Sequence, residues 1–239
     1  MDRLAYLRAL EIDVWERREL GPVNGGRRTA DSEPGIGAER ETRGARPLSG
    51  LGWDELAATV RACTLCPLHA TRTQAVFGVG NRNAQWMVIG EAPGMEEDRQ
   101  GEPFVGRAGQ LLNSMLKAMG LAREQVFIAN ILKSRPPANR DPRPEEARAC
   151  LPYLYRQIEL VNPTLILCVG RIAAQTLLET TEPIGKLRGA LHRIASGRPM
   201  IVTYHPAYLL RSPGEKRKAW ADLVLAMRTF EQLRLETPA

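Results

Sequence analysis

Four short, mostly apolar runs, each ended or broken by glycine or a polar residue and each followed by a segment of helical periodicity, constrain this chain more than any other feature. They lie at residues 86–90, 126–132, 164–170 and 199–205. Such short, mostly apolar runs predict strands buried on both faces. Between the first two, Ala108, Leu111, Leu112, Met115, Leu116 and Met119 repeat at i, i+3, i+4, i+7, the mark of a helix with one face inward, and Gly120 stops it. Further helices are predicted over 53–63, 144–161, 171–179 and 216–233, the second opened by Pro144 with Glu145 and Glu146. Strands alternating with helices make an α/β protein with a mostly parallel sheet covered on both sides. In such sheets ligands bind at the carboxyl ends of the strands.

The ends of the chain differ from this body. Leu4, Leu7, Leu10, Val14 and Trp15 fall near helical spacing among charges, so residues 1–20 read as an amphipathic helix and a candidate docking element for a protein partner. Residues 21–50 are dominated by Gly, Pro, Arg, Glu, Ser and Thr, too poor in apolar side chains to offset ordering entropy, and read as a flexible tether. Residues 51–239 form the expected globular domain. No run approaches the 18 or so apolar residues of a membrane span, and the charged start does not resemble a secretory signal. The expectation is an intracellular, cytoplasmic monomer in which the four cysteines are ligands or buried thiols, not disulfides. The 33 Lys and Arg against 27 Asp and Glu give a net charge of +6, compatible with nucleic acid without establishing it.

Three constellations carry chemistry. Gly90–Asp98 (GEAPGMEED) and Gly101–Gly109 (GEPFVGRAG) are glycine-rich turns at the end of the first strand, but neither matches a nucleotide-binding fingerprint. Thr203–Arg211 (TYHPAYLLR) puts His205 before a proline at a strand end, which aims the imidazole out of the sheet. There Tyr208, Leu209 and Leu210 are apolar side chains flanked by Arg211 and Lys216, as a protein needs to enter a duplex while holding phosphates. Cys63 and Cys66 form a C-x-x-C pair able to chelate zinc or iron, with Cys150 and Cys168 downstream; Cys168 sits in an apolar strand, where a buried free thiol is the default.

Taken in order, C-x-x-C, GEAPG…ED, EPFVGRAG, ANILKSRPPANRDP and YHPAYLLR resemble the family 4 uracil-DNA glycosylases, iron–sulfur members of the uracil-DNA glycosylase superfamily, over about residues 53–230. The resemblance implies a three-layer α/β/α fold around a central four-stranded parallel sheet. It also implies base-excision repair of uracil-containing DNA, single- or double-stranded, by base flipping and hydrolysis of the N-glycosidic bond. Gly90, Glu91, Ala92, Phe104, Asn130 and His205 match the uracil-binding positions. Among them Phe104 would stack on the base, Asn130 read its edge, and His205 donate to O2. The family's small residue stands at Ala92, so the water falls to Glu91 or Glu97, or the oxocarbenium ion captures it unaided. Glu97 is also the candidate for excluding thymine's methyl group, since Gly94 stands where other families have a blocking aromatic.

The cluster pattern departs from the family. Cys63, Cys66 and Cys150 match ligands of a [4Fe–4S] cluster, while the remaining cysteine position holds Ser134. Either Ser134 supplies an oxygen, or three cysteines hold the cluster, or it is labile or lost, because thiolate is the preferred ligand; Cys168 substitutes only if its strand lies within reach. Two rivals to a monofunctional glycosylase remain. One is a noncatalytic iron–sulfur DNA-binding module. The other is a superfamily variant, either of different damaged-base preference or one trapping the sugar covalently on a histidine; against the latter the histidine-free loop 134–143 argues.

Overall fold

The computed structural model describes residues 48–236. The helix expected over 1–20, and all but the last three residues of the tether at 21–50, lie outside the described residues. The strands are β1 (Val79–Gly80), β2 (Trp86–Gly90), β3 (Phe127–Asn130), β4 (Leu165–Val169), β5 (Leu191–Arg193) and β6 (Pro199–Thr203), in the order β1-β3-β2-β4-β6-β5. The four expected strands form the parallel centre, β3-β2-β4-β6. Two short antiparallel edges, β1 on β3 and β5 on β6, extend it to six.

The period-two alternation of the central strands builds two cores. Met87, Ile89, Phe127, Ala129, Ile166, Cys168, Met200 and Val202 point to one face and pack against α4 (Pro144–Val161), α5 (Arg171–Leu178) and α6 (Ile184–Leu187). Trp86, Val88, Ile128, Leu165, Leu167, Val169 and Ile201 point to the other, under α3 (Arg107–Ala118), α7 (Pro206–Arg211) and α8 (Lys216–Glu236). This is the three-layer α/β/α sandwich. The first helix, α1 (Trp53–Ala62), packs Leu56 and Val60 with Tyr153 of α4 in a small third cluster. A short helix, α2 (Met95–Gln100), follows β2.

The chain leaves β2 for β3 on one side and returns past it to β4 on the other. Such a reversal opens a crevice beyond the carboxyl ends of the strands. Glu91, Asn130, Gly170 and His205 stand at or just past the ends of β2, β3, β4 and β6, so the topology brings four distant positions together.

Candidate active site

At the carboxyl end of the sheet lies a cavity of about 680 Å³, lined among others by Glu91, Glu97, Phe104, Asn130, Arg140 and His205. Asn130, the last residue of β3, is 2% exposed and its Oδ1 has no hydrogen-bond partner. A buried acceptor left unpaired costs on the order of 1–3 kcal/mol, and a ligand N–H would recover that. The close approach of Asn130 to its neighbours depends on Gly90, where a Cβ would come within 2.5 Å of Asn130 Oδ1 and 2.6 Å of Phe104 Cζ. Phe104 is held with φ at +54°, an uncommon conformation for a bulky residue, and its carbonyl lies against Gly109, where a Cβ would meet it at 1.8 Å. This places the Phe104 ring 5.6 Å from the His205 imidazole, the two planes 30° apart.

His205 is the N-cap of α7, and its Nδ1 accepts the Ala207 backbone N–H at 3.1 Å. In the neutral ring the proton must then sit on Nε2, which makes that atom a donor. Burial, aided by the Arg211 cation and opposed by Glu97, pulls its pKa down to about 4, so the imidazole is neutral at physiological pH. Gly170, at φ +106°, lets the imidazole lie close: a Cβ there would stand 3.1 Å from His205 Cβ.

The two candidate acids differ. Glu97 Oε1 accepts the backbone N–H groups of Val105 and Gly106, and its Oε2 accepts that of Gly94. It thereby fastens the loop after β2 to the loop that carries Phe104. Glu91 is not tied in this way; burial, then the charge of Asp141, push its pKa up to about 7, while Arg171 opposes. Arg171 is itself paired with Asp141 at 2.9 Å at the pocket edge. Next to Asp141, Arg140 makes a two-pronged pair with the buried Glu146, at 2.6 and 2.9 Å.

The thiols separate as three and one. Cys66 lies close enough to feel the charge of Cys63, and Cys150 those of Cys66 and Cys63, while burial raises both pKa values. Cys168 is fully buried in the centre of β4; burial alone raises its pKa, with no influence from the other three. It is a core thiol. Ser134 is 2% exposed and its Oγ accepts from Arg72 Nη1 at 2.9 Å, while Arg72 Nη2 donates to the Arg61 and Cys63 carbonyls. Among the described residues no three Cys, His, Asp or Glu side chains close around a single metal ion. Cys63, Cys66 and Cys150 offer thiols of the kind iron–sulfur groups take, whereas Ser134 offers a hydroxyl already engaged by a guanidinium.

One expected DNA contact is corrected. Residues 206–211 form the helix α7, not a loop, so successive side chains rotate around its axis and Leu209 turns inward, 1% exposed against the α3 face. Leu210 is the exposed neighbour at 37%. Arg211 and Lys216 are exposed. Sequence reading missed Lys133, a fully buried lysine whose Nζ donates to the Asn130 carbonyl at 2.8 Å and to Gln157 Oε1 at 2.6 Å. Burial pulls its pKa down to about 7. Nothing in a lone lysine of a basic stretch signals such a position.

Fold and site together define a doubly wound α/β protein with a buried recognition pocket at its topological switch point. The profile of the uracil DNA glycosylase superfamily matches residues 77–224. A type-4 uracil-DNA glycosylase of Archaeoglobus fulgidus is 46% identical over 177 residues, covering 71% of this chain and 88% of that protein. A type-4 uracil-DNA glycosylase of Thermotoga maritima is 46% identical over 154 residues, 64% of this chain and 80% of its own length. A type-5 uracil-DNA glycosylase of Pyrobaculum aerophilum is more distant, 30% identical over 149 residues. The chain belongs to the uracil DNA glycosylase superfamily and, within it, to the type-4 family.

Proposed function

We propose that the chain is a monofunctional uracil-DNA glycosylase of base-excision repair, which takes uracil out of DNA and hydrolyses its N-glycosidic bond to leave an abasic site. The observation that carries this reading is the unpaired Asn130 Oδ1 in a pocket whose far wall holds a neutral imidazole with a free donor. Uracil presents an N3–H to the first and a carbonyl O2 to the second. Asn130 Oδ1 accepts N3–H, its amide donates to O4, and Phe104 supports the ring face. Cytosine has no N3–H and carries an amino group in place of O4, so it leaves the site's buried groups unpaired. Glu97, fixed by three backbone donors beside Gly94, forms a rigid wall against thymine's methyl.

The C1′–N1 bond breaks with its electron pair leaving on uracil, whose negative charge gathers at O2. The His205 Nε2–H meets that charge without needing to give up its proton, and the Gly90–Ala92 backbone faces the same base. The sugar, now an oxocarbenium ion, is attacked by water, and Glu91 as carboxylate orients it and takes the proton. Exposed Leu210 and Lys216 lie outside the pocket and Arg211 lines it, and all three contact the DNA strand. Cys63, Cys66 and Cys150, with Ser134 at the fourth ligand position, would hold an iron–sulfur centre, which would order the loops that carry its ligands and take no part in the chemistry. The protein acts where genomic DNA is, in the cytoplasm.

Incubation with a single-uracil oligonucleotide, followed by alkali, tests the reading: strand breakage at the uracil is expected. DNA affinity without breakage, across a range of salt, would leave only a noncatalytic DNA-binding module.

A further inference from the structure

Lys133 is 1% exposed, and among the described residues no acidic side chain pairs with it. Burying an ammonium without a counter-ion is costly, and a methionine would fill the same space more cheaply. What the lysine holds is specific. The trans peptide after Asn130 sends the Ile131 N–H to the Gly90 carbonyl of β2, so the Asn130 carbonyl points the opposite way, toward β1. There β1 reaches only as far as Ile128, and no strand stands beside Asn130. Lys133 Nζ supplies the missing donor at 2.8 Å.

The lysine is in turn gripped by one face of α4. Gln157 Oε1 accepts from Nζ at 2.6 Å, and the Lys133 backbone lies close enough to Cys150 to oppose the burial that raises its thiol pKa. Those two residues are seven apart on the helix, hence on the same face, two turns from each other. Gln157 Nε2 is anchored on the Phe77 carbonyl, and the Lys133 carbonyl accepts from Val76 N–H. The end of β3 is thus clamped to α4 through a single side chain.

We propose that Lys133 is a positioning residue for uracil recognition, fixing the backbone of Asn130 against α4 so that its unpaired Oδ1 faces the base. This rests on the reading of Asn130 given above. Removing the clamp loosens the aim of Asn130 and leaves the other pocket groups in place.

Uracil excision is compared for Lys133→Met in the natural chain and in an Asn130→Ala background, after circular dichroism and melting show that each variant is folded. A displacement of about 1 Å costs as much as a hundredfold, so kcat/KM is expected to fall roughly ten- to hundredfold in the natural background. With no Asn130 side chain left to aim, the same change should cost less than about threefold. An equal factor in both backgrounds overturns the proposal. Should Lys133→Met fail to fold, Gln157→Met removes the lysine's side-chain partner and faces the same criterion. A readout independent of catalysis is the side-chain amide resonance pair of Asn130, assigned by its absence in Asn130→Ala. Lys133→Met, or Gln157→Met in its place, should shift that pair in uracil-free protein, and an unmoved pair overturns the inference. Natural protein that releases no uracil overturns the functional reading alone, and the amide resonances then decide the role of Lys133.

Discussion

Four residues apart in the chain, Asn130 and Ser134 treat their buried polar atoms in opposite ways. Both are 2% exposed. At Asn130 the side-chain oxygen has no partner, and the surrounding backbone is shaped to keep it so: glycine at 90, a left-handed Phe104, and a lysine behind the main chain. At Ser134 the hydroxyl is paired with Arg72, which also ties down the Arg61 carbonyl at the end of α1 and the Cys63 carbonyl of the C-x-x-C segment. An unpaired buried group is a cost that only a ligand removes; a paired one supports the fold. The difference separates the recognition pocket from the thiol site more sharply than residue types do.

The largest effects are expected at the pocket. His205→Ala removes the donor placed for the departing uracil, and Asn130→Ala the acceptor for its N3–H. Each should lower kcat/KM by roughly 10²–10³-fold, the scale of losing one preplaced oxyanion donor. Single-turnover excision from a uracil duplex checks both, and a loss under about threefold at either position breaks the contrast on the pocket side. Gly90→Ala should approach these losses, since its Cβ would collide with Asn130 and Phe104 together.

A smaller effect, of about tenfold at neutral pH, is expected from Glu91→Gln. Because the Glu91 pKa is raised to about 7, the fraction of reactive carboxylate grows as pH rises through that value, and activity should climb with it. Glu91→Gln should flatten that limb of the pH profile. Asp141→Asn, by removing the like charge, should move it to lower pH. The same shift predicts stability with the opposite sign. The folded protein keeps the Glu91 proton up to about pH 7, while the unfolded chain releases it near 4.5, so this contribution is full below 4.5 and lost as pH rises toward 7. The melting temperature of Glu91→Gln relative to the natural chain should therefore increase across that window and level off above it.

At the thiol site, Ser134→Cys supplies the ligand type that iron–sulfur centres prefer. Iron and sulfide per chain in anaerobically purified protein, with absorption in the visible, should rise relative to the natural chain. An unchanged iron content would mean that Ser134 is not a corner of the ligand set.

What the sequence made legible follows from burial. The four central strands are continuous apolar runs because both faces are covered, and each was found to within three residues at either end. The edges β1 and β5, two and three residues long and partly exposed, carry no such signal. The site residues at strand ends were visible as polar breaks in apolar runs. The loop-fastening role of Glu97 was not, because hydrogen bonds to backbone N–H groups eight and nine residues away leave no trace in composition. Leu209 was misplaced for the same reason: which of two adjacent leucines faces inward depends on the phase of a six-residue helix.

The contrast between the two buried polar residues is sharpened most by stability, where the expected effects are smallest. Ser134→Ala deletes the acceptor of a half-buried guanidinium N–H, so urea unfolding should show a loss of about 1 kcal/mol. Asn130→Ala deletes an oxygen that had no partner to lose. Its removal ends the desolvation cost that the folded state carries, and the small cavity it leaves opens onto the pocket. Stability should then be unchanged or slightly raised, the usual sign of a side chain kept for function at the expense of the fold. Two alanine substitutions four residues apart, at equal burial, should thus move stability in different directions. If Asn130→Ala destabilises as much as Ser134→Ala, its side chain is part of the scaffold, and the unpaired oxygen loses its meaning as a ligand group.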